Sequence, residues 1–156
     1  MSDVPRSLPS RAPTVGRRTV LLALAGCLVV VPGAAAPSFR VIVHPANPIA
    51  SAARDFLADA FLKKITRWDD GEALRPVDQR ADSEVRREFS EHVLKRSVQA
   101  VKTYWQQRIF SGRGVPPPEF ESDAAVVEYV LKHRGAVGYV SGACELGGAK
   151  VLAVSE

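Results

Sequence analysis

Short apolar runs alternate with one-sided amphipathic stretches along most of the chain. The run FRVIVH at 39–44 is almost continuously apolar, which predicts a strand covered on both faces. The runs AVGYV at 136–140 and AKVLAV at 149–154 predict the last two strands, and LRPVDQ at 74–79 predicts a short one. Pro76 in that short strand favours an edge or a terminus, because proline cannot donate to a hydrogen-bond ladder.

Apolar side chains at helical spacing predict four helices between these strands, at 52–67, 83–95, 98–109 and 123–134. Ser51 or a neighbour is expected to cap the first helix. Ser122 is expected to cap the last, and Gly135 to stop it in a left-handed conformation. The segment SGRGVPPPEF at 111–120 predicts a surface loop, because its prolines remove backbone donors. Strands alternating with helices predict an α/β domain.

The first thirty-five residues have the pattern of a secretory signal peptide. An apolar run, TVLLALAGCLVVV, is followed by the small residues PGAAAP, and it is preceded by four basic residues, Arg6, Arg11, Arg17 and Arg18. The run is shorter than the ~20 residues that a membrane span needs. We predict a signal peptide at 1–35, cleavage after Ala35 and a mature domain at 36–156.

Two variants of export stay open in the sequence. The adjacent Arg17 and Arg18 allow the twin-arginine route, although such a pair also suits an ordinary signal. LAGC at 24–27 has the pattern of a lipoprotein box, which would leave Cys27 lipidated at the new N-terminus. The apolar run continues at 28–31, where a lipoprotein has a polar tether. We therefore expect an exported, periplasmic protein, with an anchor through Cys27 as the less favoured variant.

The basic charge of the chain belongs largely to this leader. Removing four arginines and Asp3 leaves 17 basic and 16 acidic residues, so the net charge falls from +4 to +1. A nucleic-acid partner requires a basic face on the folded domain, and a net charge of +1 gives little support for one. We therefore predict no nucleic-acid partner.

Residues suited to catalysis do not form a recognisable pattern. Ser83, Ser111 and Ser141 lack the context of a nucleophile elbow, and the three histidines are scattered over separate elements. No His, Cys or carboxylate group has the spacing of a metal site. Once Cys27 is removed, Cys144 has no partner for an internal disulfide. We predict a protein that is not an enzyme, with no catalytic residue, no metal and no cofactor.

Four segments in order carry a resemblance to a known family. FLADAFLKKITRWDDGEALRPVDQ, DSEVRREF, VKTYWQQRIFSGRGVPPP and GAVGYV resemble the periplasmic phosphate-binding proteins of ABC transporters, within the type 2 periplasmic-binding-protein superfamily. The most specific parts are 61–71, which has one residue more than the family spacing implies, and 135–140. The resemblance covers roughly 39–154. Full-length members have two lobes that close on the ligand, so it implies here a single α/β lobe with a mixed sheet flanked by helices.

The resemblance also implies an anion site where a strand runs into the helix at 83–95. Phosphate-binding relatives have a motif like R-x-x-G-S-G-T there, and Ser83 falls on its serine. Glu84 replaces the next glycine, Val85 replaces the threonine, and Gln79 or Arg80 falls on the arginine. A carboxylate at ~4 Å would repel an anion by ~4 kcal/mol, so Glu84 could abolish binding unless basic side chains compensate. Arg80, Arg86 and Arg87 are the candidates for that role.

A plainer interpretation of the same residues stays open. Asp82 would cap the helix, Glu84 would complement its dipole, and Arg86 and Arg87 would form a solvated face. His44, after the first strand, could donate to a ligand at a strand end, but a lone histidine there is more often a polar loop residue.

Two functions follow as hypotheses. The first is an exported solute-binding-like protein that binds phosphate or a related oxyanion through Arg80, Ser83, Glu84, Val85, Arg86 and His44, with an ABC transporter permease or an envelope protein as its partner. The alternative is a ligand-free lobe that pairs with another envelope protein, or with itself, through the surface that once faced the cleft.

Overall fold

The computed structural model describes residues 38–156. Within them seven strands and four helices occur in this order: β1 (Phe39–Val43), β2 (Ser51–Ala53), α1 (Arg54–Phe61), β3 (Arg75–Pro76), β4 (Asp78–Gln79), α2 (Glu84–His92), α3 (Val98–Phe110), β5 (Glu119–Phe120), α4 (Asp123–Lys132), β6 (Ala136–Ser141) and β7 (Lys150–Ser155). The predicted signal peptide, its cleavage site and Cys27 lie outside the described residues and stay predictions.

Five of the strands form one mixed sheet in the order β2-β7-β1-β6-β3. β1 is antiparallel to both of its neighbours, whereas β2 runs parallel to β7 and β3 runs parallel to β6. β4 and β5 form a separate parallel pair beside α2. The prediction of a single α/β lobe with a mixed sheet is confirmed, and Pro76 lies on the edge strand β3, as expected.

Both faces of the sheet are covered. On one face the alternate β1 residues Phe39, Val41 and Val43 belong to a core shared with α1, α2 and α3. On the other face Ile42 packs with Val126 and other residues of α4. Burial on both faces therefore explains the continuous apolar run of β1, as the sequence predicted.

The first predicted helix is wrong at both ends. Residues 51–53 form β2 and pair with β7, so the helix starts at Arg54 with Ala53 as N-cap and without a side-chain cap. Ser51 therefore caps nothing. The helix ends at Phe61, and Lys63 adopts a positive φ of 50°.

The other helices lie close to their predicted positions. α2 is shorter at both ends than the predicted 83–95, and Lys95 has a φ of 52° beyond its C-terminus. The start of α4 is confirmed, because the Ser122 side chain accepts a hydrogen bond from the amide of Ala125. The predicted loop 111–120 is irregular except at its end, where β5 pairs with β4.

Gly135 has a different role from the predicted left-handed stop. Its φ is not positive, and a Cβ atom added to it would lie 1.9 Å from the carbonyl oxygen of Ala73. A glycine is needed there because the chain before β3 passes directly against it.

None of the helices within the described part of the chain is both long and apolar enough to cross a membrane.

Candidate functional site

The junction between β4 and α2 holds most of the predicted ligand residues. Ser83 is the N-cap residue of α2 and has extended backbone angles, but its side chain makes no capping hydrogen bond. Its hydroxyl donates instead to Oε1 of Gln79 at 3.3 Å. The amides of the first helical turn have no intrahelical acceptor, so this end of α2 presents donors and a partial positive charge.

Asp82 does not cap the helix, contrary to the plainer interpretation. Its carboxylate accepts two hydrogen bonds from Arg80, at 2.5 Å from Nε and 2.6 Å from Nη2. This partner lowers the pKa of Asp82, and Arg80 also lies 3.6 Å from Glu121. Arg80 is half-exposed and already paired with the chain's own carboxylates.

Glu84 is turned along the helix. Its carboxylate forms an ion pair with Arg87, one turn later, and that arginine lowers the pKa of Glu84. Both side chains are exposed, so solvent weakens the pair. Val85 packs against the core and brings no hydroxyl to the junction.

Arg86 is buried, so the prediction that it forms a solvated face is wrong. Its Nη1 lies 3.0 Å from Oδ1 of Asp78 and 3.2 Å from Oε1 of Glu119, and it also donates to the carbonyl of Gln79. A buried ion pair needs such additional hydrogen bonds to offset its desolvation. Arg86 holds the first turn of α2 against β4 and β5.

A tyrosine completes this buried network. The hydroxyl of Tyr139 donates to Asp78, and the amide of Gln79 donates to the same carboxylate at 3.0 Å. Burial raises the pKa of Asp78 to about 6, against the opposing attraction of Arg86. Burial and the neighbouring Asp78 also raise the pKa of Tyr139.

The start of α4 reaches the same junction through Asp123. Its carboxylate accepts hydrogen bonds from Nε2 of Gln79 at 2.6 Å and from the hydroxyl of Ser141 at 2.5 Å. Gln79 thus links the starts of α2 and α4 at the ends of β4 and β6, where open α/β sheets bind ligands. Sequence reasoning missed Asp123, although its position directly after the capping Ser122 placed it at a helix start.

His44 lies elsewhere. It follows the last residue of β1, Val43, which pairs with Val137, whereas Ser141 pairs with Phe39 at the first residue of β1. Four residues of strand separate these pairs, or about 13 Å. The imidazole accepts from the amide of Ala46 at 3.0 Å, so His44 has the contacts of a polar loop residue.

The described residues contain no group of three or more His, Cys, Asp or Glu side chains placed to hold a metal ion.

Solved structures of substrate-binding proteins of phosphate ABC transporters share the fold of this chain. The resemblance found in the sequence is therefore confirmed at the level of the fold. An ABC-type phosphate transport receptor from Vibrio cholerae matches with a TM-score of 0.58 and 19% identity, over 75% of this chain and 46% of its own. PstS from Borrelia burgdorferi matches with a TM-score of 0.58 and 11% identity, over 76% and 47%. A phosphate ABC transporter substrate-binding protein from Clostridium perfringens, solved with bound phosphate, matches with a TM-score of 0.60 and 18% identity, over 75% and 44%.

This chain therefore spans less than half the length of these neighbours. No protein-family model and no curated protein sequence matches it. The neighbours are substrate-binding proteins by name, not enzymes, and at these identities the likeness establishes the fold.

Proposed function

We propose that this chain is an exported, non-enzymatic solute-binding-like protein that takes phosphate or a related oxyanion at the start of α2. In this proposal the signal peptide at 1–35 directs it to the periplasm. An ABC transporter permease is the partner that the named roles of its structural neighbours suggest.

One observation carries the proposal: the two acids that flank Ser83 in the chain each have an arginine partner. Asp82 is paired with Arg80, and Glu84 is paired with Arg87. Neither carboxylate is left unpaired over the turn, so the free amides retain the positive potential that attracts oxyanions to helix starts.

Ser83 is the residue best placed to bind the ligand. Its hydroxyl is not used as a cap, and its hydrogen bond to Gln79 is long at 3.3 Å, so the hydroxyl can turn to an oxyanion at little cost. Arg80 is half-exposed, and its Nη1, which is not bonded to Asp82, could contact a ligand while the pair with Asp82 is kept. Asp123 is the charge that opposes binding, because it lies across Gln79 from Ser83.

Calorimetric titration of the chain from residue 36 with phosphate, sulfate and arsenate tests the proposal. We expect a Kd below ~100 µM for one of them, about −5.5 kcal/mol. Ser83→Ala should weaken binding without changing the melting temperature, since no cap is lost. Ser97→Ala, the same substitution at the start of α3, is the matched control and should bind as the wild type does.

Glu84→Gln removes the charge and keeps the shape of the side chain. Because Arg87 already offsets part of this charge, we expect a gain in affinity of about tenfold rather than the full value of an unpaired carboxylate. The proposal is wrong if the wild type shows no heat of binding with any of the three anions, whether or not this variant binds one.

A second function, the ligand-free interaction module, is favoured by a different observation. A groove of about 690 Å³ runs beside β1 and β7, and its lining includes Val41, Leu152 and Val154. It could hold a polypeptide segment from another envelope protein or a second copy. A concentration-dependent mass in sedimentation, lost in Val154→Asp and combined with no anion heat, would favour this function over the first.

A further inference from the structure

The basic residues of the mature chain are unevenly distributed. Residues 92–118 contain no Asp or Glu and five basic residues, namely Lys95, Arg96, Lys102, Arg108 and Arg113. Since the chain from residue 36 has a net charge of +1, the rest of it carries −4. The positive charge is therefore concentrated in α3 and the segments on either side of it.

Large apolar side chains are exposed at the end of this same stretch. Phe110 is 90% exposed, Val115 63% and Ile109 50%. The buried face of α3 is formed by Val101 and Trp105, so Phe110 lies outside the core. A phenylalanine exposed to this extent at the end of a well-packed helix is a departure from the usual burial of aromatic side chains.

The loop after α3 lies against the last turn of the helix, which brings these residues together. Nη2 of Arg108 donates to the carbonyl of Arg113 at 2.9 Å, and Lys63 donates to the carbonyl of Pro116 at 3.2 Å. Ile109 and Pro116 line one groove of about 280 Å³. We call this surface the α3 tip and define it as Arg108, Ile109, Phe110, Arg113 and Val115.

The cations around the α3 tip differ in exposure, and Arg108 is partly buried. The guanidinium of Arg108 lies 5.5 Å from the ring centre of Tyr104 and 6.0 Å from that of Trp105, so its stem covers aromatic surface. Arg113 and Lys102 are exposed. The nearest acid in the same groove is Glu119, which is paired with the buried Arg86.

We propose that the α3 tip binds the surface of an anionic phospholipid bilayer. Such a bilayer has negative headgroups directly above an apolar layer, so one partner accounts for both the cations and the exposed Phe110. A soluble anion would account only for the cations. A protein partner would need an apolar socket ringed by acids. This inference does not depend on whether α2 binds an anion.

Vesicle sedimentation tests the proposal with the chain from residue 36, which lacks the apolar run of the leader. All described strands and helices lie between residues 39 and 155, so this chain contains every one of them. We expect binding to vesicles of three parts phosphatidylcholine and one part phosphatidylglycerol, and little binding to pure phosphatidylcholine. Raising the salt from about 50 mM to about 500 mM should release most of the protein, because it shortens the screening length.

Two variants and two matched controls locate the contact. Phe110→Ser should lower the partition coefficient at least tenfold, since the apolar contact is lost. Arg113→Glu should lower it at least fivefold, the factor that corresponds to about 1 kcal/mol per basic side chain at such a surface. Val151→Ser and Arg134→Glu make similar changes at exposed positions away from the α3 tip and should leave partition unchanged.

Thermal unfolding of all four variants verifies that each is folded. A loss of vesicle binding is then due to the changed α3 tip and not to unfolding. Equal binding of wild type and Phe110→Ser, or equal binding to neutral and anionic vesicles, would overturn the proposal. A concentration-dependent mass that Phe110→Ser abolishes, without vesicle binding, would also overturn it and assign the α3 tip to contact between copies.

Discussion

The pH dependence of stability should have an unusual sign at Asp78. This carboxyl group is buried against Arg86, Tyr139 and the amide of Gln79, and burial raises its pKa from 3.8 to about 6. Asp78→Asn replaces it with a neutral group of the same shape that still accepts a hydrogen bond from Tyr139. The variant removes one titration and the negative charge opposite Arg86, which keeps Glu119 as an ionic partner.

The sign follows from the proton binding of the two states. Between the unfolded pKa of 3.8 and the folded pKa of about 6, the folded protein binds more protons at Asp78 than the unfolded chain does. The contribution of Asp78 to the free energy of unfolding is therefore fully present at low pH and is lost as pH rises through about 6. At 1.36 kcal/mol per pKa unit, the loss between pH ~4 and ~7.5 is about 2 kcal/mol.

The free energy of unfolding is measured by urea unfolding at several pH values. The fluorescence of the buried Trp68 and Trp105 follows the transition. The free energy of unfolding of the wild type minus that of Asp78→Asn should fall by about 2 kcal/mol over that pH range. Glu84→Gln is a control of opposite sign: the pKa of Glu84 is lowered by Arg87, so its stabilisation is lost as pH falls. A difference for Asp78 that grows with pH would show that Arg86 outweighs burial, and a flat difference would show that the two effects cancel. Either result would refute the reasoning.

Two smaller predictions concern the backbone. Gly135→Ala should cost about 2–3 kcal/mol in denaturant unfolding, because a Cβ at 1.9 Å from the Ala73 oxygen forces β3 away from β6; a loss below about 0.5 kcal/mol would mean that β3 yields freely. Ser97→Ala should cost about 1 kcal/mol by the same measurement, because the Ser97 side chain accepts from the Ala100 amide. Ser83→Ala should cost almost nothing, and equal losses at the two serines would contradict the assigned cap geometry.

Much of the fold could be predicted because hydrophobic periodicity reports burial directly. β1, β6, β7 and α3 lie within one or two residues of their predicted positions, and each has an apolar pattern that only one secondary structure can bury. The prediction failed at 51–53, where the local sequence also suits a helix start. Pairing with β7, about a hundred residues later, decides that these residues form a strand.

The candidate site could be predicted less completely. The location of Ser83 and Glu84 at a helix start followed from the local pattern and is confirmed. The ion-pair partners of Arg86 and Arg87 could not be predicted. The local sequence is compatible with a buried or an exposed side chain at either position. The rotation of α2 on the sheet turns Arg86 inward toward Asp78 and leaves Arg87 with Glu84 in solvent.

By itself the sequence determined the order of the four helices and of the strands β1, β3, β6 and β7, the α/β class and the position of the junction at Ser83. These depend on the spacing of apolar residues and on local capping, which act over a few neighbours. Only the tertiary structure decided that Asp78, Arg86 and Tyr139 form one buried network, that Asp123 reaches Gln79, and that Phe110 stays exposed. Those outcomes depend on which surfaces meet when distant segments pack, and local spacing does not encode that choice.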